Sequence, residues 1–219
     1  MAKAKYNFSS LGIEEATQGA QACIDNAKRL IEAANLLSGR GFIELSTFAG
    51  CTAIEEIGKA FLLLEYQEKK RDGKEDPANN LNNWFGMHFP KLKTALTISE
   101  LNRQAIGLMV DSFFRDDTPE SASRYFWKKI DSLKEPNVQN LVTNTLNTRE
   151  EMIYTDYKEG RFTTPMDKAQ KEYFISLVKT SKKLIIQAER DLAKIGAGLK
   201  RGSIQDRAVD AIHHEFKKN

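Results

Sequence analysis

Residues Leu45 to Leu64 constrain the fold more than any other stretch. They are apolar almost all the way round a helix, yet Glu55, Glu56 and Lys59 stand in their middle as the only formal charges. A helix that is hydrophobic on every side has to be enclosed by other helices. The stretch therefore predicts a central helix from near Phe42 to about Lys70. Glu55 and Lys59 are four apart, and Glu56 and Lys59 three apart, so one cation reaches two carboxylates. On an exposed face such a pair contributes roughly 0.3–0.5 kcal/mol. Flanked by Ile54, Ile57, Phe61, Leu62 and Leu63, it is not expected to be exposed. Ions buried without partners cost several kcal/mol each, so polar groups from elsewhere must meet them. Gly58 costs the helix about 1 kcal/mol against alanine, which predicts the close approach of another helix there.

The rest of the chain supplies those helices. From Leu11 to Leu37, Ile13, Ala16, Ala20, Ile24, Ala27, Ile31, Ala34 and Leu37 recur every three or four residues, the period of an amphipathic helix. Ser10 is placed to cap it, and Gly39 with Gly41 to end it. "RDGKEDPANN" reads as a turn-rich loop. A third helix is expected from about Pro90, through Leu92, Leu96, Leu101, Ala105, Leu108 and Val110. Thr118-Pro119 restarts the chain as cap and first turn of a short aromatic helix ending near Leu133. Another helix runs from Pro136 towards Tyr154. After a loop, Thr164-Pro165 opens a long helix to about Ile195. "GAGLKRGS" reads as a flexible hinge, and a short basic helix ends the chain. No segment alternates with the period of a strand. The expected class is all-α, an antiparallel bundle over residues 1–195 followed by a hinge and short helix over 196–219.

Length and composition fit that class. A chain of 219 residues with 41% hydrophobic and 29% charged residues can bury a core without metals or disulfides. The formal charge of +3 permits a polyanionic partner without demanding one. Cys23 and Cys51 form no metal-spaced pair and read as reduced thiols. The start "MAKAKYNFSS" lacks a signal core, and Glu55 breaks the best apolar run, so a soluble, cytoplasmic protein with no membrane partner is expected.

Two further clusters carry polar residues of note. His88 and Lys91 stand at the entry to the third helix, and His88 has the side chain best suited to proton transfer near neutrality. In "REEMIYTDY", a helix persisting to Asp156 would put Arg149 and Asp156 on one line, with Tyr154 on an adjoining face. These residues and the Glu55, Glu56, Lys59 group are either a polar layer that sets the register of the bundle or parts of a site.

"NAKRLIEAANLL", "AIEEIGKA", "HFPK" and "REEMIYTDY", in that order and followed by a Thr-Pro pair, resemble the AbiV abortive-infection proteins. The resemblance runs from about Leu11 to Leu192. It implies a bacterial anti-phage factor of the HEPN superfamily, a HEPN-like helical bundle and a homodimer, expected here through the first two helices. Many HEPN proteins are metal-independent endoribonucleases, with an arginine followed four to six residues later by a histidine. Arg149 matches the arginine, and Tyr154 stands where the histidine is expected. Arg207 and His213 fit the spacing but lie beyond the hinge and outside the resemblance.

The resulting expectation is RNA cleavage without metal or other cofactor. Arg149 and Lys59 would hold the phosphate, His88 or Tyr154 would move protons, and Glu55, Glu56, Lys91 and Asp156 would bind or orient. The alternative is a non-catalytic bundle that binds a ribosomal, cellular or phage partner, and a phage-encoded protein as trigger or inhibitor fits either reading. A di-metal carboxylate site is disfavoured, because no Glu-x-x-His pair is present and Lys59 would oppose a cation. The basic stretches "KTSKKLIIQAER" and "LKRGSIQDR" lack an aromatic platform and read mainly as solvated helix faces.

Overall fold

Two long helices joined by a tight turn form the spine of the molecule, α1 (Ile13–Gly39) and α2 (Ile43–Arg71). The computed structural model describes residues 7–73, 77–115, 118–130, 133, 135–154, 156–158, 161–202 and 206. α1 buries the stripe Ala16, Ala20, Ile24, Ala27, Ile31 and Ala34, whose four alanines let α2 lie close. Gly41 turns the chain with φ +89°, a conformation that suits a residue without Cβ. α2 then runs back antiparallel, so that its end meets the beginning of α1. There the Tyr66 hydroxyl donates to the Leu11 carbonyl at 2.6 Å and Lys70 binds the same oxygen. The cap of α1 is Gly12 rather than the expected Ser10, because the Glu15 carboxylate reaches back to accept the Gly12 N–H.

The other helices pack around α2, which is buried from Ser46 to Gln67 on nearly every side. α3 (Pro77–Trp84) contributes Ala78 and Leu81 to the core, where a loop was expected. α4 (His88–Arg115) packs on α2 with its first half. With its second half it joins α5 (Pro119–Ile130) in a small separate core of Ala105, Phe126 and Ile130. α6 (Gln139–Glu151) adds Val142. A hairpin follows, β1 (Asp156–Lys158) antiparallel to β2 (Arg161–Thr163), with Tyr157 opposite Phe162. α7 (Pro165–Lys168) is one turn, and α8 (Lys171–Gly196) runs along α2 and α1. Leu177 of α8 packs over Gly50, and Lys28 of α1 pairs with Glu189 at 2.6 Å.

The fold is an all-α bundle carrying one short hairpin. Three further expectations change within it. The long helix expected to open at Thr164-Pro165 is broken, since α7 ends at Lys168 and α8 starts at Lys171 after the extended Gln170. The helix expected to reach Asp156 stops at Glu151, where the N–H groups of Met152, Ile153 and Tyr154 fold onto the carbonyls of Thr148 and Glu150. The buried Met152 holds that end in place. Arg149 and Asp156 therefore do not share a helix face. The segment expected as a hinge, described to residue 202, is docked. Arg201 is 6% exposed, and its Nε and backbone N–H donate to the Glu68 carboxylate at 2.6 and 2.5 Å. The expected terminal helix, with Arg207, His213 and His214, lies outside the described residues. Among the described residues no helix is long and apolar enough to cross a membrane.

Candidate functional site

Glu55 is the hub. It lies in the middle of α2 and is only 3% exposed, and side chains from two other helices converge on it. His88 Nδ1 is 2.6 Å from Glu55 Oε2. A carboxylate can only accept, so Nδ1 carries the proton and donates. Lys91 Nζ lies 3.7 Å from the same oxygen, an ion-pair contact too long for a strong hydrogen bond. Arg149 Nε approaches the other oxygen, Oε1, at 3.2 Å. Among the described residues neither of those two atoms has a hydrogen-bond partner, so this pair is charge against charge without aligned geometry. One helical step on, Lys59 Nζ pairs with Glu56 Oε1 at 2.5 Å.

Local sequence explains why the groups meet. The first turn of α4 crosses α2 at Gly58, where a Cβ would overlap the backbone carbonyl of Lys91. Glycine thus lets α4 come close enough to set His88 and Lys91 over Glu55. Arg149 comes from the last turn of α6, and its guanidinium sits over the ring of Phe48, 5.2 Å from the centroid. Phe48 precedes Glu55 by seven residues and so shares its line on α2. Lys59 lies over the ring of Phe85, 5.8 Å from its centroid. Both aromatic rings were missed by sequence reasoning, although the spacing of Phe48 from Glu55 was a usable signal.

The electrostatic environment is mixed. Burial lowers the pKa of Lys91, aided by the charge of Lys59, while Glu55 and Glu56 oppose the shift. The thiol of Cys51 is pushed up to about 12 by burial, reinforced by Glu55 and opposed by Arg149. Cys23 is pushed up to about 11, again chiefly by burial, with Glu56 adding and Lys59 and Lys91 opposing. Tyr173 is raised by burial first and then by Cys51, while its hydrogen bonds to Thr145 and Thr148 of α6 pull the other way.

The sequence-predicted residues divide into three groups. Glu55, His88, Lys91 and Arg149 form one cluster, and Glu56 with Lys59 form its neighbouring pair. Tyr154 stands apart, 64% exposed, with no side-chain hydrogen bond among the described residues. Asp156 begins β1, and its side chain lies outside the described residues. Among the described residues, no three His, Cys, Asp or Glu side chains gather as a metal would require. The His88 side chain is 50% exposed although its Nδ1 is fixed to a buried carboxylate. An imidazole oriented in this way can exchange a proton through Nε2 while the carboxylate steadies the cation formed.

A family model described as HEPN_AbiV, for AbiV, matches residues 15–186, well over half of the chain. No curated protein and no solved structure matches it.

Proposed function

The chain belongs to the AbiV family of the HEPN superfamily, a family of abortive-infection defence, and from that premise we propose that it halts infected cells by cutting RNA without a metal. The observation that carries this reading is the Glu55–His88 pair, a half-exposed imidazole held at 2.6 Å by a buried carboxylate. In the proposed reaction His88 Nε2 takes the proton of a ribose 2′-hydroxyl. The 2′-oxygen attacks phosphorus, the bond from phosphorus to the 5′-oxygen breaks, and a 2′,3′-cyclic phosphate forms. The leaving 5′-oxygen takes a proton from water, since Tyr154 stands apart from the cluster. Arg149 and Lys59 offset the charge that grows on the phosphate. Glu55 stabilises the imidazolium, and Lys91 lies 3.7 Å from the same carboxylate oxygen as His88. Exposed Leu36, Phe42 and Leu45 at the α1–α2 turn support a homodimer through the first two helices.

The test is degradation of RNA by pure full-length protein in EDTA. Wild type is expected to release fragments with 2′,3′-cyclic phosphate ends. His88→Ala and Arg149→Ala are expected to be slower by about 100-fold or more. Equal rates for all three proteins, negligible or not, refute the mechanism. A second reading, a non-catalytic module that binds a protein partner, is favoured by the depth of Glu55 and Lys91 in the core. Under it Arg149→Met strongly destabilises the fold, whereas an active-site cation is replaced with little loss of stability.

A further inference from the structure

A cavity of about 570 Å³ opens where α2, α3 and the first half of α4 meet the segment after α8. None of the side chains of the Glu55 cluster lines it. Its walls are mainly apolar, made by Trp84, Phe89, Pro90, Ile98 and Leu101. Trp84 still leaves 37% of its surface open. Two of the charged groups at the cavity are already answered. Glu65 pairs with Lys69 at 2.5 Å, and Arg201 donates to the Glu68 carboxylate and the Phe61 carbonyl. That leaves Lys93 and Glu135, one charge of each sign, both exposed and in no ion pair among the described residues. Such a rim does not select a ligand of one charge. It suits an apolar segment that carries both signs.

The chain itself delivers a segment of that kind. Arg201 lines the cavity and is also the buried anchor of the stretch that follows α8. Gly202 turns the backbone there with φ +91°. Asp206 folds back so closely that a Cβ on Gly202 would lie 2.7 Å from the Cβ of Asp206. The chain beyond Asp206 therefore sets out from the edge of the cavity. Residues 207–219 lie outside the described residues, but their sequence carries a pattern. Ala208, Ile212 and Phe216 recur every four residues, the spacing of one helix face, while Asp210, His213 and Lys217 fall on the other side. At the rise of a helix, Ala208 to Phe216 spans about 12 Å, within the roughly 18 Å of α4 between Phe89 and Leu101. Glu215 adjoins the apolar stripe and Lys218 follows three residues on, a carboxylate for Lys93 and a cation for Glu135. The interaction need not be strong, because attachment through Arg201 gives the segment an effective concentration of about millimolar.

We propose that this cavity is the docking site of the chain's own residues 207–219, seated through Ala208, Ile212 and Phe216. Phe89 and Pro90 directly follow His88 in the first turn of α4, so the docked segment also backs the turn that presents His88. Docking does not depend on whether the Glu55 cluster cuts RNA.

The test reads Trp84 fluorescence in the full-length chain, with Trp127→Phe as the parent so that Trp84 is the sole tryptophan. Ile212→Asp with Phe216→Asp should shift the emission to the red and raise quenching by acrylamide. His213→Asn, on the other face, should leave both unchanged. A synthetic peptide of residues 207–219, added in excess to the double variant, should restore the parent emission. The same peptide carrying both Asp changes should not. Should Trp127→Phe not fold, hydrogen exchange over residues 84–101 in the otherwise wild-type chain makes the comparison, with faster exchange expected in the double variant. A parent as open as the double variant, or a His213→Asn protein shifted as far, overturns the proposal. Protection that grows with protein concentration assigns the cavity to a second copy and overturns docking within one chain.

Discussion

Replacing Gly58 with alanine is the most direct test of how the cluster is assembled. A Cβ at this position would lie 2.6 Å from the carbonyl carbon of Lys91 and 3.0 Å from its Cα, with the carbonyl oxygen closer still. All three atoms are backbone, so no side chain can swing aside. The first turn of α4 must retreat from α2 by about 1 Å to recover ordinary contact, and it carries His88 away from Glu55. Overpacking of this kind costs about 1–3 kcal/mol. Alanine returns about 1 kcal/mol through helix propensity. Loss of the charge-assisted His88–Glu55 bond adds about 1.5–3 kcal/mol. The net loss is about 3 kcal/mol, which for a chain of this size lowers the melting temperature by about 6–12 °C. Gly107→Ala is the control, since nothing lies within 4 Å of a Cβ there and propensity alone should raise stability. Calorimetry of the three proteins, with the His88 ring signals followed by NMR, reads both effects. A Gly58→Ala protein that melts at or above wild type, or that keeps the His88 signals unchanged, refutes the reasoning.

Glu55→Gln removes the charge that faces His88, Lys91 and Arg149, and it should cost about 3–5 kcal/mol in urea unfolding. Lys91→Met should cost clearly less, because burial and the charge of Lys59 together oppose the lysine charge more than Glu55 and Glu56 favour it; equal losses would overturn that ranking. The lowered pKa means that the folded protein sheds this proton before the unfolded chain does, so stability gains from Lys91 as pH rises from the folded pKa towards 10.5. Lys91→Met should abolish that alkaline gain in a pH series, and an unchanged gain would remove Lys91 as its source. With Cys51 pushed up to about 12 and Cys23 to about 11, native protein should react with a thiol reagent at mildly alkaline pH far more slowly than unfolded protein. Equal rates would contradict the burial of Cys51 and the partial burial of Cys23.

The bundle was legible wherever a long helix shows one apolar stripe. The stripe read from Ile13 to Ala34 is the buried face of α1, and Pro119 opens α5 as its Thr-Pro pair indicated. Short elements were not legible. α3 has eight residues, too few to be stable alone, and it is held by the burial of Ala78 and Leu81 rather than by propensity. Strands of three residues, as in β1 and β2, offer too few positions for alternation to stand out. The stop of α6 at Glu151 depends on the burial of Met152, a tertiary fact that a local pattern does not contain.

The cluster was legible for a different reason. A helix enclosed on all sides touches every other layer, so a charge in its middle is a point at which distant segments must converge. Gly58 marked where one of them arrives. What the pattern could not give is the ranking of the three charges. Spacing along the helix links Lys59 to both glutamates, whereas in the fold Lys59 pairs with Glu56 at 2.5 Å and Glu55 turns inward to His88, Lys91 and Arg149. That division bears on function. A polar layer that only sets register is best served by full satisfaction, since a partly bonded buried network is weaker than an apolar one. Around Glu55 one oxygen serves both His88 and Lys91, while the other faces Arg149 without an aligned hydrogen bond. An arginine steered by charge and by the Phe48 ring, beside a half-exposed histidine, leaves this layer incompletely bonded, as the proposed binding of a phosphate would require.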